Sequence, residues 1–162
     1  GQTLLRDELR RLHLQNAALG AGGMDRLTFR EYGRAGRMLR DTYQRMTNLT
    51  NDMMAGKVSI DQALNRISGY VGEARINFLQ AERDAVRATG HTFEERRRLG
   101  VAEHCIDCVN YAGQGWQPLG MLPVPGERSR CGNRCRCSME RREVTPEMMR
   151  ERMTVRLERM IA

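Results

Sequence analysis

The chain has few aromatic residues, 5% of 162, and a single lysine, Lys57, among 27 basic residues. The scarcity of aromatics disfavours an aromatic-rich β-sandwich and favours helices packed through aliphatic side chains. No apolar run approaches the roughly 20 residues that a membrane-spanning helix needs. Proline is absent from residues 1–117, so no proline interrupts long helices in that part of the chain.

Arginine supplies nearly all of the positive charge, and the formal net charge is +7. A guanidinium group can bind phosphate or carboxylate through two parallel hydrogen bonds. An arginine-rich composition also arises in proteins encoded by GC-rich genomes. The charge therefore predicts affinity for acidic surfaces but identifies no particular partner.

Apolar residues recur at helical spacing in three segments of the first 90 residues. The first predicted helix covers about residues 3–18, and the second runs from an N-cap at Asp25 to about Ala55. The third begins with a capping box at Ser59 and ends near Gly90. The short turn between the second and third helices predicts an antiparallel hairpin.

The same periodicity predicts which side chains of the hairpin are buried. The expected set is Met38, Leu39, Met46, Leu49 and Met53 in the second helix and Leu64, Ile67, Val71, Ala74 and Phe78 in the third. A further short helix is predicted from Thr92 to Leu99, because Thr92 and Glu95 have capping-box spacing. After Thr145–Pro146 a last helix is predicted, with Met149, Met153, Leu157 and Met160 on one face.

Five cysteines form two close groups, Cys105-x2-Cys108 and Cys131-x3-Cys135-x-Cys137. This spacing lets four sulfurs reach one zinc ion at about 2.3 Å in tetrahedral geometry. The predicted Zn²⁺ ligands are Cys105, Cys108, Cys131 and Cys135, with Cys137 as the alternative fourth ligand. An odd number of cysteines argues against complete disulfide pairing and favours a reducing compartment.

Four thiolates would fill the coordination of zinc, so the site is predicted to be structural and not catalytic. The alternatives are a redox pair at Cys105 and Cys108, or buried thiols without a metal; the βαβ pattern of a thioredoxin-like protein is absent. His104 could replace a thiol as a ligand, but we expect its side chain to point away from the site because it adjoins Cys105. His13 and His91 are expected to be solvated at helix ends, and no catalytic motif is found, so we predict no enzymatic activity.

Composition divides the chain, because every cysteine and all four prolines lie between residues 105 and 146. We predict a helical body at 1–99, a zinc-binding module at 100–143 and a C-terminal amphipathic helix at 144–162. The predicted fold is mainly α, with a long helical hairpin body and a small irregular zinc-knuckle module. The only tryptophan, Trp116, is expected to pack beside the metal or against the helical body.

Arginines crowd the second cysteine group. The candidates for contact with phosphate or with an acidic partner are Arg128, Arg130, Arg134 and Arg136. Alternatively, these side chains offset the negative charge of a zinc–thiolate site or pair with acidic helix faces. No aromatic residues are interleaved for base stacking and no recognition helix is evident.

Five segments together resemble one family of tailed-phage proteins: Arg96–Gly100, His104–Cys108, Gly115–Pro118, Leu122–Gly126 and Cys131–Cys137. The paired cysteines, the proline-glycine loop and the terminal Asn-x-Cys-Arg-Cys order resemble the C-terminal region of minor head proteins, also called head morphogenesis proteins of the phage Mu F-like type. The resemblance covers about a quarter of the chain closely. It implies a virion component that is made in the bacterial cytoplasm and works with portal or capsid proteins.

We therefore predict a structural virion protein of the phage head, in which zinc shapes a docking surface. The expected partners are the portal protein, the major capsid protein and further copies of the chain, with no membrane partner. The alternative is a zinc-dependent nucleic-acid-binding protein that uses the arginine cluster at 128–142.

Overall fold

The computed structural model describes residues 2–161 and is mainly α-helical, as predicted. Its helices are α1 Gln2–Ala21, α2 Phe29–Met54, α3 Ile60–Gly72, α4 Ala74–Ala88, α5 Ile106–Gly113 and α6 Pro146–Ile161. Its strands are β1 Phe93–Arg98, β2 Gln117–Pro118 and β3 Ser138–Glu143, and short 3₁₀ turns occupy Met24–Arg26 and Gly132–Arg134. Within residues 2–161, none of the helices combines the length and the apolar character needed to cross a membrane.

The first two helices form where their sequences predict, but α2 begins later than expected. Asp25 lies in a 3₁₀ turn, and Thr28 is the N-cap of α2. The Thr28 hydroxyl accepts a hydrogen bond from the Arg30 amide, and the Glu31 carboxylate accepts one from the Thr28 amide at 2.8 Å. This reciprocal capping box satisfies two amide groups that a cap at Asp25 would leave unpaired.

The predicted third helix is two helices, α3 and α4, which break at Glu73. The capping box at Ser59 and Gln62 is confirmed at the start of α3. Glu73 is buried, and its carboxylate accepts hydrogen bonds from Thr42 at 2.7 Å and from Arg45 at 2.6 Å, both on α2. The predicted single helix is therefore interrupted where a buried carboxylate is tied to its neighbour.

The buried face of α3 also differs from the predicted stripe. Leu64 and Val71 are exposed, whereas Ala63 and Tyr70 are buried with α2 residues. The main apolar cluster consists of Leu9, Leu39, Met46, Leu49, Ala63 and Tyr70. The predicted burial of Leu39, Met46 and Leu49 is confirmed, but Met53 is exposed.

The most extensive helix packing joins α1 to α4. Ala17, Ala21 and Ala81 form a small apolar cluster between them. His13 was expected to be solvated, but it is fully buried there, and the Asn77 amide donates to its Nδ1 at 2.8 Å. Burial lowers the pKa of His13, so the neutral imidazole is favoured in this position.

A three-stranded antiparallel sheet in the order β2–β1–β3 replaces the short helix predicted at 92–99. The cross-strand partners of β1 and β3 include three consecutive pairs of opposite charge, Glu94–Arg142, Glu95–Arg141 and Arg96–Glu140. Opposite charges facing each other stabilise such a pair of strands. The predicted module is therefore not wholly irregular, and its sheet includes a strand from the segment assigned to the helical body.

Helix α6 follows the sheet and, over its described residues, buries none of its side chains. Met149, Met153, Leu157 and Met160 are all exposed. The helix is tied to the sheet by Arg152, whose guanidinium pairs with both carboxylate oxygens of Glu94.

Candidate metal centre

Three local structures bring the five cysteine thiols together. Cys105 is the N-cap of α5 and Cys108 lies in its first turn. Cys131 and Cys135 flank the 3₁₀ turn Gly132–Arg134, and Cys137 immediately precedes β3. A turn and a helix start both fold the backbone tightly, so each places two thiols near the same point.

The thiols form two overlapping groups that share Cys108. One contains Cys105, Cys108 and Cys131, and the other contains Cys108, Cys135 and Cys137. The sulfurs of each group lie within 4.8 Å of one another, and those of Cys131 and Cys135 are each 3.5 Å from the sulfur of Cys108. None of the five cysteines is in a disulfide. The cluster could therefore hold a metal ion, as the sequence predicted.

The five predicted ligand residues are all in this cluster, but its geometry does not single out one set of four. The predicted set of Cys105, Cys108, Cys131 and Cys135 draws on both groups, with Cys108 at the centre. Cys135 and Cys137 are both buried, and neither is set apart as a spare thiol. The choice of fourth ligand thus stays a prediction.

The buried guanidinium of Arg97 on β1 lies directly against this cluster. Its Nη1 donates towards the sulfurs of Cys108 at 3.6 Å and Cys135 at 3.9 Å, and its Nη2 donates to the Pro123 carbonyl. The side chain is only 2% exposed and stacks on Tyr111, and no carboxylate of residues 2–161 forms an ion pair with it.

A buried cation needs a nearby negative charge, because burial without one is very costly. The groups beside Arg97 that can become anionic are the thiols. Its position therefore fits a cluster that carries net negative charge, as a metal held by four thiolates does. The contacts of Arg97 are independent support for the donor chemistry of the site.

The thiols differ in their tendency to ionise before any cation binds. Burial raises the pKa of Cys108 and that of Cys131 to about 12. Burial would also raise the pKa of Cys105, but amide donors and neighbouring thiols outweigh it and lower that pKa to about 6. A bound cation would favour the thiolate form throughout, so metal binding must release protons.

His104 faces the cluster, contrary to expectation. Its Nε2 lies 2.7 Å from the Gly100 carbonyl oxygen, which can only accept, so Nε2 carries the proton. The other ring nitrogen, Nδ1, lies 3.7 Å from the Cys137 sulfur. Adjacency to Cys105 did not turn the ring away, because the loop before α5 returns past residues 135–137.

Two contacts hold the second cysteine group against the helical body. Arg75 on α4 donates to the carbonyls of Cys135 and Cys137, both at 2.7 Å. Asn133 donates to the Gly69 carbonyl at 2.8 Å and lies over α3 where Gly69 and Gly72 have no side chains. The position of the thiols is thus set by the helices as well as by the module.

The four arginines proposed for phosphate contact are exposed around the second cysteine group. Arg130 lies near the Asp107 carboxylate at 3.9 Å, and Arg134 donates to Asn65. Arg128 and Arg136 form no ion pair within residues 2–161. The next two arginines of the cluster, Arg141 and Arg142, pair instead with glutamates of α4 and the sheet.

Trp116 packs against arginine side chains of the sheet. The guanidinium groups of Arg96 and Arg142 lie 4.6 and 4.0 Å from the centre of its ring. These cation–π contacts join β1 and β3 to the loop before β2. The ring is therefore engaged within the fold and not presented to a base.

Of three residues beside the cysteines, sequence reasoning missed Arg75 and Arg97 and wrongly expected the third, His104, to point away. Two of them are arginines in runs or helices where charge normally means exposure. The single available signal was the proximity of His104 to Cys105 in the sequence.

A scan of the chain against protein-family models, a search of curated proteins and a search of solved structures each find no match. The resemblance to minor head proteins therefore rests on the motif residues alone.

Proposed function

We propose that this chain is a structural protein of a tailed-phage head, in which a metal-bound module and a helical body present surfaces to other head proteins. The supporting observation is that four of the five segments of the family resemblance contribute residues at or beside one thiol cluster. Arg97 of the first segment donates towards the sulfurs of Cys108 and Cys135, and the carbonyl of Pro123 in the proline-glycine loop accepts a further hydrogen bond from it. Residues spread over about forty positions of the sequence thus lie together in space, as a family motif would require.

The ion that we propose is zinc, held for structure and not for catalysis. Thiolates are soft ligands that suit zinc, and a site filled by four of them leaves no position for water or substrate. Binding would then contribute to folding of the module and not to a reaction. On this basis we propose that the protein is not an enzyme.

The proposed partners are the portal protein, the major capsid protein and further copies of this chain. Support comes from α6, on which Met149, Met153, Leu157 and Met160 are exposed. Methionine side chains adapt well to partner surfaces. We propose that α6 contributes to docking within the virion head, after assembly in the bacterial cytoplasm.

Fractionation of infected cells tests this proposal. An antibody against the full chain should detect it in the fast-sedimenting fractions that contain assembled heads, and cross-linking should join it to portal or capsid protein. Nuclease treatment should leave that distribution unchanged. Recovery of the chain solely among slow-sedimenting free proteins would contradict the proposal.

A second candidate function, zinc-dependent nucleic-acid binding, is favoured by one observation. Arg128 and Arg136 are exposed and form no ion pair within residues 2–161, so both guanidinium groups are available to phosphate. DNA affinity should then fall steeply with salt, and the Arg128→Gln/Arg136→Gln variant should reduce that salt dependence. Arg98→Gln, which removes an exposed arginine that pairs with Glu140, serves as the matched control.

A further inference from the structure

The thiol cluster contains more donors than one zinc ion can bind. Five sulfurs lie in two overlapping groups and the Nδ1 of His104 approaches one of them, that of Cys137, whereas zinc in a structural site takes four ligands. A single ion would leave His104 and one of Cys135 and Cys137 without a role, although both of these cysteines are buried. The donors beyond the four that one ion binds lie on one side of the cluster, beside Cys135.

The donors separate into two sets around a central pair. Two sulfurs that bind one zinc ion at about 2.3 Å in tetrahedral geometry lie about 3.8 Å apart. Cys108 and Cys135, whose sulfurs are 3.5 Å apart, form the centre. Cys105 and Cys131 lie on the Cys108 side, and Cys137 lies on the other side in the group with Cys135.

His104 offers a further donor beside Cys137. Because its Nε2 donates to the Gly100 carbonyl, Nδ1 is the nitrogen left to bind a metal, and it is 3.7 Å from the Cys137 sulfur. A nitrogen and a sulfur on the same zinc ion are separated by about 3.5 Å. Histidine ligands characteristically donate their other ring N–H to a carbonyl or carboxylate, as His104 does.

Arg97 distinguishes the central pair from the other thiols. Its guanidinium donates towards Cys108 and Cys135 together. A thiolate shared between two ions keeps fewer lone pairs but remains negatively charged, and a hydrogen bond from a buried cation stabilises that charge. The residue that spans the cluster thus contacts the two sulfurs that occupy its centre.

We propose that the cluster binds two zinc ions, with Cys108 and Cys135 bridging them. Cys105 and Cys131 complete one ion, and Cys137 and His104 complete the other. Two four-coordinate ions need eight bonds, and six side chains of which two bridge supply eight. This inference rests on the zinc part of the proposed function and extends it from one ion to two.

Metal stoichiometry tests the proposal on the unaltered full chain. The reduced protein is loaded with zinc, freed of excess ion by gel filtration and analysed for zinc per chain, with two expected. The cadmium-substituted protein should give two ¹¹³Cd resonances, coupled through the shared sulfurs. One zinc per chain would overturn the two-ion proposal alone, whereas no bound zinc would overturn the zinc part of the proposed function too.

Substitution of the second set separates the two ions. His104→Gln should weaken the binding of one ion by more than about tenfold and shift one cadmium resonance, while the other ion stays bound. His91→Gln is the matched control, because His91 is exposed and pairs with Glu143 away from the thiols. Two ions bound with unchanged affinity in His104→Gln would overturn the assignment of His104.

Discussion

The helical body and the cysteine module are stabilised in different ways. The body buries aliphatic side chains of α1, α2 and α3 in one apolar cluster, with Leu9, Leu39 and Leu49 among its members. The module buries thiols together with Glu94, Glu95 and Arg97. Burial of apolar surface stabilises a fold under most conditions, whereas buried charges stabilise it little unless they are fully paired.

Because of this difference, we expect folding of the module to depend on a bound metal. Glu95 is fully buried but satisfied, because it pairs with Arg83 at 3.0 Å and accepts a hydrogen bond from the Gly120 amide. Arg97 has no such carboxylate partner and depends on the thiols. The body is therefore expected to fold without metal, and the module is not.

Of the changes considered, metal removal should have the largest effect, and it should affect the module and not the body. A chelator is expected to unfold residues 105–137 and leave α1 and α4 intact, because structural zinc contributes on the order of 10 kcal/mol to folding. Hydrogen exchange measured by mass spectrometry would follow each segment separately. Equal loss of protection in both regions would mean that the body also depends on the metal.

Removal of the buried cation should have the next largest effect. Arg97→Met keeps the length of the side chain but leaves the thiolate charge without its guanidinium, at a cost of about 3–5 kcal/mol to the module. Zinc affinity, measured by competition with a chelating dye, should fall in parallel. Arg98→Met is the control, since Arg98 is exposed and its pair with Glu140 is open to solvent, where an ion pair stabilises little. Equal affinity in both variants would contradict the role given to Arg97.

The contact between the two regions can be tested with a matched pair of glycines. A β-carbon at Gly72 would lie 2.8 Å from the Asn133 carbonyl oxygen, so Gly72→Ala should push the Cys131–Cys135 turn away from α3 and cost about 1–3 kcal/mol. Gly36 on α2 has no neighbour within 4 Å of that position, and Gly36→Ala should stabilise the body by about 0.5–1 kcal/mol. Thermal unfolding of both variants measures the difference. A similar shift of the unfolding temperature in both variants would show that the position of Asn133 does not depend on its close approach to Gly72.

Local signals in the sequence located the helices of the body, but not the start of α2 or the break at Glu73. The capping box at Ser59 was predicted because its hydrogen bonds join residues three apart, and it is confirmed. The N-cap of α2 was misplaced because Asp25 is a good cap residue, while Thr28 has the partner, Glu31, that completes a box. A rule that required both halves of the box would have chosen correctly.

Non-local pairing explains what the sequence did not predict. The segments Phe93–Arg98 and Ser138–Glu143 have no apolar alternation, so periodicity could not identify strands. Their charges are complementary in antiparallel register, and this order was a usable signal. The positions of Arg97 and His104 at the thiols depend on that pairing and on the loop before α5, which no local pattern specifies.

Detachment of α6 should have the smallest effect, because one exposed arginine holds it. Arg152 lowers the pKa of Glu94, and Arg142 adds to this against the opposing effect of burial. The pKa of Glu94 in the fold is below its ordinary value of about 4.3. The pair with Arg152 therefore contributes to stability at pH values above about 4.3, and this contribution is lost as the pH falls through the depressed pKa.

In Arg152→Gln the carboxyl ¹³C resonance of Glu94 should therefore titrate at higher pH, and amides of 146–161 should exchange faster with metal content unchanged. Arg156→Gln, on the same exposed helix but without an ion pair in residues 2–161, should alter neither measurement. An unchanged titration in Arg152→Gln would mean that Arg142 alone holds Glu94 ionised and that α6 is attached by other contacts.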